Sequence, residues 1–276
     1  GSLALVRTEA DMVCRRGVGL IVADIPFLAG EVGARAGVPC VALGNFTWDW
    51  IYEPFTQALP EYAGALERTR LAYRRMQAWL RLPFHHASTL FPEVVDLPLL
   101  GRAAARPQEE AGDALGLSRH DGRPRVLVAM RGGVAWDALR RAAEASPEVL
   151  FLVPEPTPSP GLANVWSVAP DGAVGFTDLL AACDAVVSKP GYGIVADCAV
   201  NGTALLWPPR ENFREDEIFR AEAARYLRAR ELPAADYHAG RWKGHLHALL
   251  ADPSPQPSWE NKGAEAAVSI IERYLG

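Results

Sequence analysis

Short apolar, β-branched runs alternate along this chain with longer stretches in which apolar residues recur every three to four positions. Leu3 to Arg16 has the helical period and Gly17 stops it. Gly19 to Asp24 reads as a buried strand ending on an acid, Pro26 to Ala36 as a helix with proline in its first turn, and Pro39 to Gly44 as a second strand. Strand, helix and strand at this spacing predict a parallel βαβ unit. The run 45–52, Asn-Phe-Thr-Trp-Asp-Trp-Ile-Tyr, follows as a loop at the carboxyl edge. Glu61 to Leu80 predicts one long amphipathic helix, with Leu66, Leu71, Tyr73, Met76, Trp79 and Leu80 facing the core. Arg81 to Asp96 is proline-broken and irregular, with His85 and His86 on a surface loop. A polar stretch, Arg102 to Gln108, predicts a domain boundary.

Beyond it the alternation resumes. Arg125 to Met130, Val149 to Val153, Val165 to Val168, Asp184 to Val187 and Thr203 to Trp207 read as strands. Helical patterns cover Ala135 to Ala145, Asp178 to Cys183, Tyr192 to Val200, Phe213 to Arg230, Lys243 to Leu250 and Gly263 to Leu275. Five strands interleaved with helices predict an open parallel sheet wound on both faces. The expected division is an N-terminal α/β domain over 1–102, a second over 103–258, and a last helix over 259–276 packed across the boundary. Two parallel strands cannot bury both faces of a sheet. The first domain therefore reads as incomplete, finished either by a piece outside this chain or by a partner.

Composition narrows the function. Of 276 residues, 49% are hydrophobic and 22% charged, which suits a cored globular protein. A formal net charge of −5 argues against a nucleic-acid binder, which carries a basic field. No apolar run approaches the ~20 residues of a membrane helix. The first residues lack a signal-peptide pattern. Cys14, Cys40, Cys183 and Cys198 show no metal spacing and read as buried apolar residues, so the expected address is the cytoplasm.

The chemistry concentrates after the strand at 184–187, in Ser188-Lys189-Pro190-Gly191-Tyr192-Gly193. A glycine-bearing turn between a buried strand and a helix exposes backbone N–H groups that attract phosphate. The same glycines equally serve close helix–strand packing, and the spacing is not that of a dinucleotide fingerprint. Gly132 and Gly133, after the strand at 125–130, offer a second such turn. Lys189 is the nearby cation, for phosphate or for solvent. Asp197 lies one helical turn past Gly193 and faces back towards it. Among the first domain's aromatics, Trp48, Trp50 and Tyr52 either plug the domain edge or stack on a ligand around Asp49.

These stretches resemble a known family. Val22 to Pro26, Asn45 to Tyr52, Lys189 to Gly193 and Arg210 to Glu215 match, in order, the glycosyltransferase-like proteins that stand alone in bacteria and precede the sugar kinase in plant L-arabinokinases. More distantly, the second half is similar to the donor domain of GT-B-type nucleotide-sugar transferases. The resemblance implies an α/β, GT-B-like fold of two Rossmann-like parallel-sheet domains. It implies a glycosyltransferase taking a nucleotide sugar, with no metal and no separate cofactor, and an unidentified acceptor. Donor binding would fall to Gly132, Gly133, Ser188, Lys189, Gly191, Tyr192, Gly193, Asp197, Arg210, Glu215 and Asp216. Asn45, Trp48 and Trp50 would lie on the acceptor side. Asp49 or Asp24 would be the catalytic base, with His85 a third choice. Two departures stand out: the family's opening G-H-G-F-G-H-A-T-R-like loop does not occur in this sequence, and Asp197 stands where the family carries Glu. A non-catalytic nucleotide-sugar-binding module, a GT-B-type epimerase, and a homo-oligomer remain open.

Overall fold

In a computed structural model, residues 2–117, 122–130, 133–154, 161–168, 174–253 and 259–275 are described. Backbone contacts divide the chain into unit 1, residues 1–100 with 260–276, and unit 2, residues 101–259.

Unit 1 runs α1 (Ser2–Arg15), β1 (Ile21–Ala23), α2 (Leu28–Ala36), β2 (Cys40–Gly44), α3 (Trp48–Ala58), α4 (Ala63–Tyr73), β3 (Ala78–Arg81) and β4 (Glu93–Asp96). The four strands form one parallel sheet in the order β1-β2-β3-β4. This corrects three expectations. The long helix ends at Tyr73, because Ala78, Trp79 and Leu80 are fully buried in the sheet, and burial on both faces imposes the strand. Leu71 is 47% exposed and is not a core residue. The irregular segment holds β4, so the sheet has four strands where two were expected.

The aromatic run 45–52 is likewise not all loop. Thr47 takes extended backbone at the N-cap position and α3 begins at Trp48. His86 is buried, not on a surface loop: its ring stacks on Trp50 at 4.5 Å, and its Nε2 accepts the Thr47 N–H at 3.1 Å. Its Nδ1 lies 2.7 Å from the Ala87 carbonyl, so the ring is locked by backbone on both sides.

The helical layer is set by close approach. A Cβ at Gly30 of α2 would overlap the carbonyl oxygen of Ala72 on α4. A backbone oxygen cannot move aside as a side chain can. Gly30→Ala is therefore expected to cost roughly 2 kcal/mol, read as a lower denaturant midpoint at unchanged slope.

Unit 2 contains α5 (Gln108–Ala114), β5 (Arg125–Val128), α6 (Trp136–Ala145), β6 (Leu150–Val153), β7 (Val165–Ser167), α7 (Phe176–Ala181), β8 (Ala185–Val187), α8 (Tyr192–Asn201), β9 (Ala204–Trp207), α9 (Glu215–Glu222), β10 (Ala229–Glu231), α10 (Ala234–Ala239) and α11 (Lys243–Ala251). Its sheet is parallel throughout in the order β10-β9-β8-β5-β6-β7. The helix expected over 213–230 stops at Glu222. A 3-10 turn, Ala223–Arg225, follows it, then the edge strand β10, and α5 starts on the last residue of the expected boundary loop. One face of the sheet packs Val126, Val128, Phe151, Val187 and Leu206 against Leu139, Trp242 and Leu246. The closing helix α12 (Gly263–Ile271) belongs with unit 1, and its Gly263 N–H donates to the Leu99 carbonyl at 2.9 Å.

Candidate functional site

From β5 the chain of unit 2 steps outward to β6 and β7, then returns to β8 and steps the other way to β9 and β10. The order reverses between β5 and β8, and open α/β sheets leave a binding crevice outside the carboxyl ends of two such strands. The turns after β5 and β8 border it. They are sewn together: the Ala129 N–H donates to the Val187 carbonyl at 3.0 Å, and the Ser188 hydroxyl donates to the Ala129 carbonyl at 2.7 Å. Ser188 is thus a fastener of the two strand ends.

The glycines of the β8 turn have no structural reason to be glycine. Gly191 caps α8 with extended backbone (φ −148°, ψ 155°), which any residue adopts, and Gly193 is not in the left-handed region. A Cβ at either position meets no atom within 4 Å. The first N–H of α8 to reach a helical acceptor is that of Val195, which donates to the Gly191 carbonyl, so the start of the helix carries the positive end of its dipole. Lys189, two residues before Gly191, is exposed and makes no ion pair among the described residues. Tyr192 opens the helix half-buried. Gly133 differs, because its φ of +100° places it in the region that favours glycine. Gly132 lies outside the described residues.

The acids and the arginine assigned to the donor side have internal partners. Asp197, 2% exposed, accepts the Arg102 backbone N–H at 2.8 Å and its guanidinium at 2.6 and 3.1 Å. Arg210 donates its N–H to Asp216 at 2.6 Å and a guanidinium N–H to Glu215 at 2.8 Å, and lies 4.1 Å over the Phe213 ring. Glu215 and Asp216 are buried in that cluster. The sequence reading overlooked Trp207. It ends β9 one residue past Leu206, whose carbonyl accepts the Ser188 N–H, and its buried Nε1–H has no partner among the described residues. A buried unpaired donor costs about 1–3 kcal/mol, and a lone Trp at a strand end gives no signal of it in sequence.

In unit 1, Asp24 is exposed at the end of β1, and Asp49 sits in the first turn of α3 beyond the adjacent strand β2. Asp49 is 7% exposed. Its Oδ2 lies 3.5 Å from the Arg70 guanidinium, which bonds Glu53 at 2.8 Å, while its Oδ1 is buried with no hydrogen-bond partner among the described residues. Tyr73, which the sequence marks only as a core residue, fixes this turn. Its hydroxyl donates to the Ile25 carbonyl at 2.8 Å and accepts the Trp48 N–H at 3.1 Å, and burial pushes its pKa up, keeping the donor proton in place. Asn45 is buried and donates to the Phe84 carbonyl at 3.2 Å. Trp48 stacks on Tyr52 at 5.3 Å, and both Trp48 and Trp50 keep part of their surface open. His85 lies 3.8 Å from Asp96, one third exposed. Cys40, Cys183 and Cys198 are buried as expected, whereas Cys14 is exposed. Burial pushes the Cys40 thiol up to about 12. No helix among the described residues is long and apolar enough to cross a membrane.

No family model matches the chain. It is 24% identical over 281 residues to an L-arabinokinase of Arabidopsis thaliana, covering 97% of this chain and a quarter, 25%, of that protein. Among solved structures it superposes on the S. aureus MnaA–UDP complex with a TM-score of 0.65 at 13% identity, covering 100% of this chain and 79% of the other. Glycosyltransferase VinC in complex with dTDP gives 0.58 at 18% identity, covering 98% and 71%. In sequence the chain is thus similar to an L-arabinokinase, and its two parallel-sheet α/β domains have the GT-B-type fold.

Proposed function

We propose that the chain is a cytoplasmic, metal-independent glycosyltransferase that holds the diphosphate of a nucleotide sugar at the β8–α8 turn. The observation that carries this reading is the pair Gly191 and Gly193, which neither packing nor backbone conformation requires. Glycine there keeps amide N–H groups open to close approach by a ligand, and a helix N-terminus beside an unpaired lysine favours an anion. When the sugar's bond to the diphosphate breaks, the diphosphate leaves with the bonding electrons. The dipole of α8 and Lys189 stabilise that charge with no metal ion. The acceptor hydroxyl forms the new bond to the anomeric carbon and gives its proton to a carboxylate. Asp49 is the choice, since its Oδ1 has no hydrogen-bond partner among the described residues. Asp24 is the exposed alternative.

A second reading has its own observation. Asp197, Glu215 and Asp216, the carboxylates assigned to the donor side, are all engaged by arginines. On that reading the chain binds a nucleotide or nucleotide sugar without turning it over.

Calorimetry against UDP, dTDP, GDP and their sugars tests the site first, starting from the nucleotides found with MnaA and VinC. At least one should bind saturably, and Lys189→Ala should weaken it about tenfold by removing one cation–phosphate contact. Failure of every nucleotide to bind sinks both readings. Binding with donor hydrolysis or transfer selects the first, and binding with an intact donor selects the second.

A further inference from the structure

Unit 1 carries a groove unrelated to the nucleotide turn. It has a volume of about 1020 Å³ and lies among α1, α2, α3 and α4. Its floor is apolar: Val6 from α1, Leu28 from α2, Leu66 and Ala72 from α4, with Phe27 just before α2. Phe55 and Tyr52 on α3, with Tyr62 in the turn before α4, form an aromatic wall. Leu71 and Leu3, 47% and 77% exposed, lie along the opening. Ligand cavities are typically about 300–1,000 Å³ and mostly apolar, whereas scattered surface leucines would not converge on one concavity.

The charge at the rim identifies the polar end of the occupant. Arg68, Arg74 and Arg75 line the groove from α4 and its end, against one lining acid, Glu31. Arg75 pairs with Glu31 at 3.0 Å and Arg74 with Glu67 at 3.3 Å, but Arg68 has no partner among the described residues. This cationic edge stands in a chain whose formal net charge is −5. The hydroxyls of Thr56 and Thr69 are spent on the Glu53 and Ala65 carbonyls, so they place no polar demand inside the groove.

We infer that the groove binds a single-chain amphiphile, its apolar chain among Val6, Leu28, Leu66 and Phe55 and its anionic head, a phosphate or carboxylate, at Arg68. The occupant is a free molecule that enters the groove, not a bilayer surface. This inference does not depend on glycosyl transfer, because every residue it uses is in unit 1 and its test reads no nucleotide.

Dodecyl phosphate, kept below its micelle concentration, is the probe, with dodecanol and dodecyltrimethylammonium as neutral and cationic counterparts. Binding is followed by calorimetry and by the fluorescence of Trp48, which stacks on Tyr52 in the groove wall. Dodecyl phosphate should bind saturably, and both counterparts at least about tenfold more weakly, the worth of one ionic contact. Arg68→Glu should weaken the phosphate about tenfold and leave dodecanol unchanged. Ala65→Trp, which adds an indole to the lining, should abolish binding. Leu71→Gln, at an exposed position that the fold tolerates, should weaken every ligand and so keeps the test valid if Ala65→Trp fails to fold. Equal affinity for the three head groups overturns the inference, as does binding that survives these substitutions. So does association with phosphatidylglycerol vesicles without binding of monomeric dodecyl phosphate. A dimer in sedimentation that Leu71→Gln dissociates, with no amphiphile bound, would assign the groove to a second copy of the chain instead.

Discussion

Gly193→Ala should leave the chain as stable as before, or slightly more stable, while lowering its affinity for a nucleotide about 100-fold. The two halves of this result have separate causes. On the protein side, an added methyl at Gly193 meets no atom within 4 Å, and alanine in a helix is favoured over glycine by up to about 1 kcal/mol. On the ligand side, the methyl occupies the space through which a phosphate oxygen must come to hydrogen-bond distance of the amides at the start of α8. Losing such contacts by about 100-fold corresponds to about 2.7 kcal/mol. Gly191→Ala should lower the affinity in the same way, since its surroundings are equally open, but at a small cost in stability, because alanine caps a helix less well than glycine. Thermal unfolding and calorimetry on one preparation separate the effects. Unchanged affinity at unchanged melting temperature would place the ligand elsewhere and end the proposal for this turn. Lost affinity with a fallen melting temperature would mean that the glycine is structural after all.

The contrast between Gly193 and Gly30 also shows what a sequence can and cannot tell. Both are glycines in helices beside buried strands, and the letters do not distinguish one that admits a neighbouring backbone from one that faces open space. Only the position of the Ala72 carbonyl separates them. The parallel sheet of unit 2 was legible because strands buried on both faces read as continuous apolar runs. Trp79 and Leu80 fit a helical stripe just as well as a strand, and the pairing with β2 that decides between them is long-range. The edge strands β4 and β10 carry polar residues, Glu93 and Asp96 in one and Arg230 and Glu231 in the other, so their apolar signal is weak. Within the site, the β8–α8 turn and Lys189 could be read from local order. The partners of Asp197 and Glu215 could not, because a carboxylate at the right spacing looks the same whether it faces a ligand or an arginine. Nor could the orphaned Oδ1 of Asp49, which depends on what α4 brings near it.

Asp197→Ala is expected to cost about 3 kcal/mol of stability and to leave nucleotide affinity within about twofold of the original. The carboxylate is 2% exposed and takes three hydrogen bonds from Arg102, one from its backbone and two from its guanidinium. Hydrogen bonds to a charged group are each worth about 1.5–3 kcal/mol. The Arg102 side chain is 68% exposed and recovers water when released, so the total falls well short of their sum. The segment it holds is tightly seated: a Cβ at Gly101 would lie 2.7 Å from the Ala196 carbonyl oxygen of α8. Asn201 on α8 accepts the Ala104 N–H, and Asp178 on α7 accepts those of Ala105 and Arg106. Burial alone would raise the pKa of Asp178, but the N–H groups of Gly175, Ala105 and Arg106 and the Arg106 guanidinium outweigh it and hold the carboxyl below its ordinary value of 3.8. A depressed folded-state pKa stabilises above the unfolded value and stops doing so as pH falls through the folded one. The Asp178 anchor should therefore be intact at pH 6 and weaken below 3.8, in parent and variant alike. Asp197→Asn keeps an acceptor for the Arg102 N–H but loses the charge, and should fall between the two. If instead Asp197→Ala melts like the parent and loses nucleotide binding, the carboxylate reaches the ligand, Arg102 swings aside to admit it, and the assignment of Asp197 as an anchor is wrong.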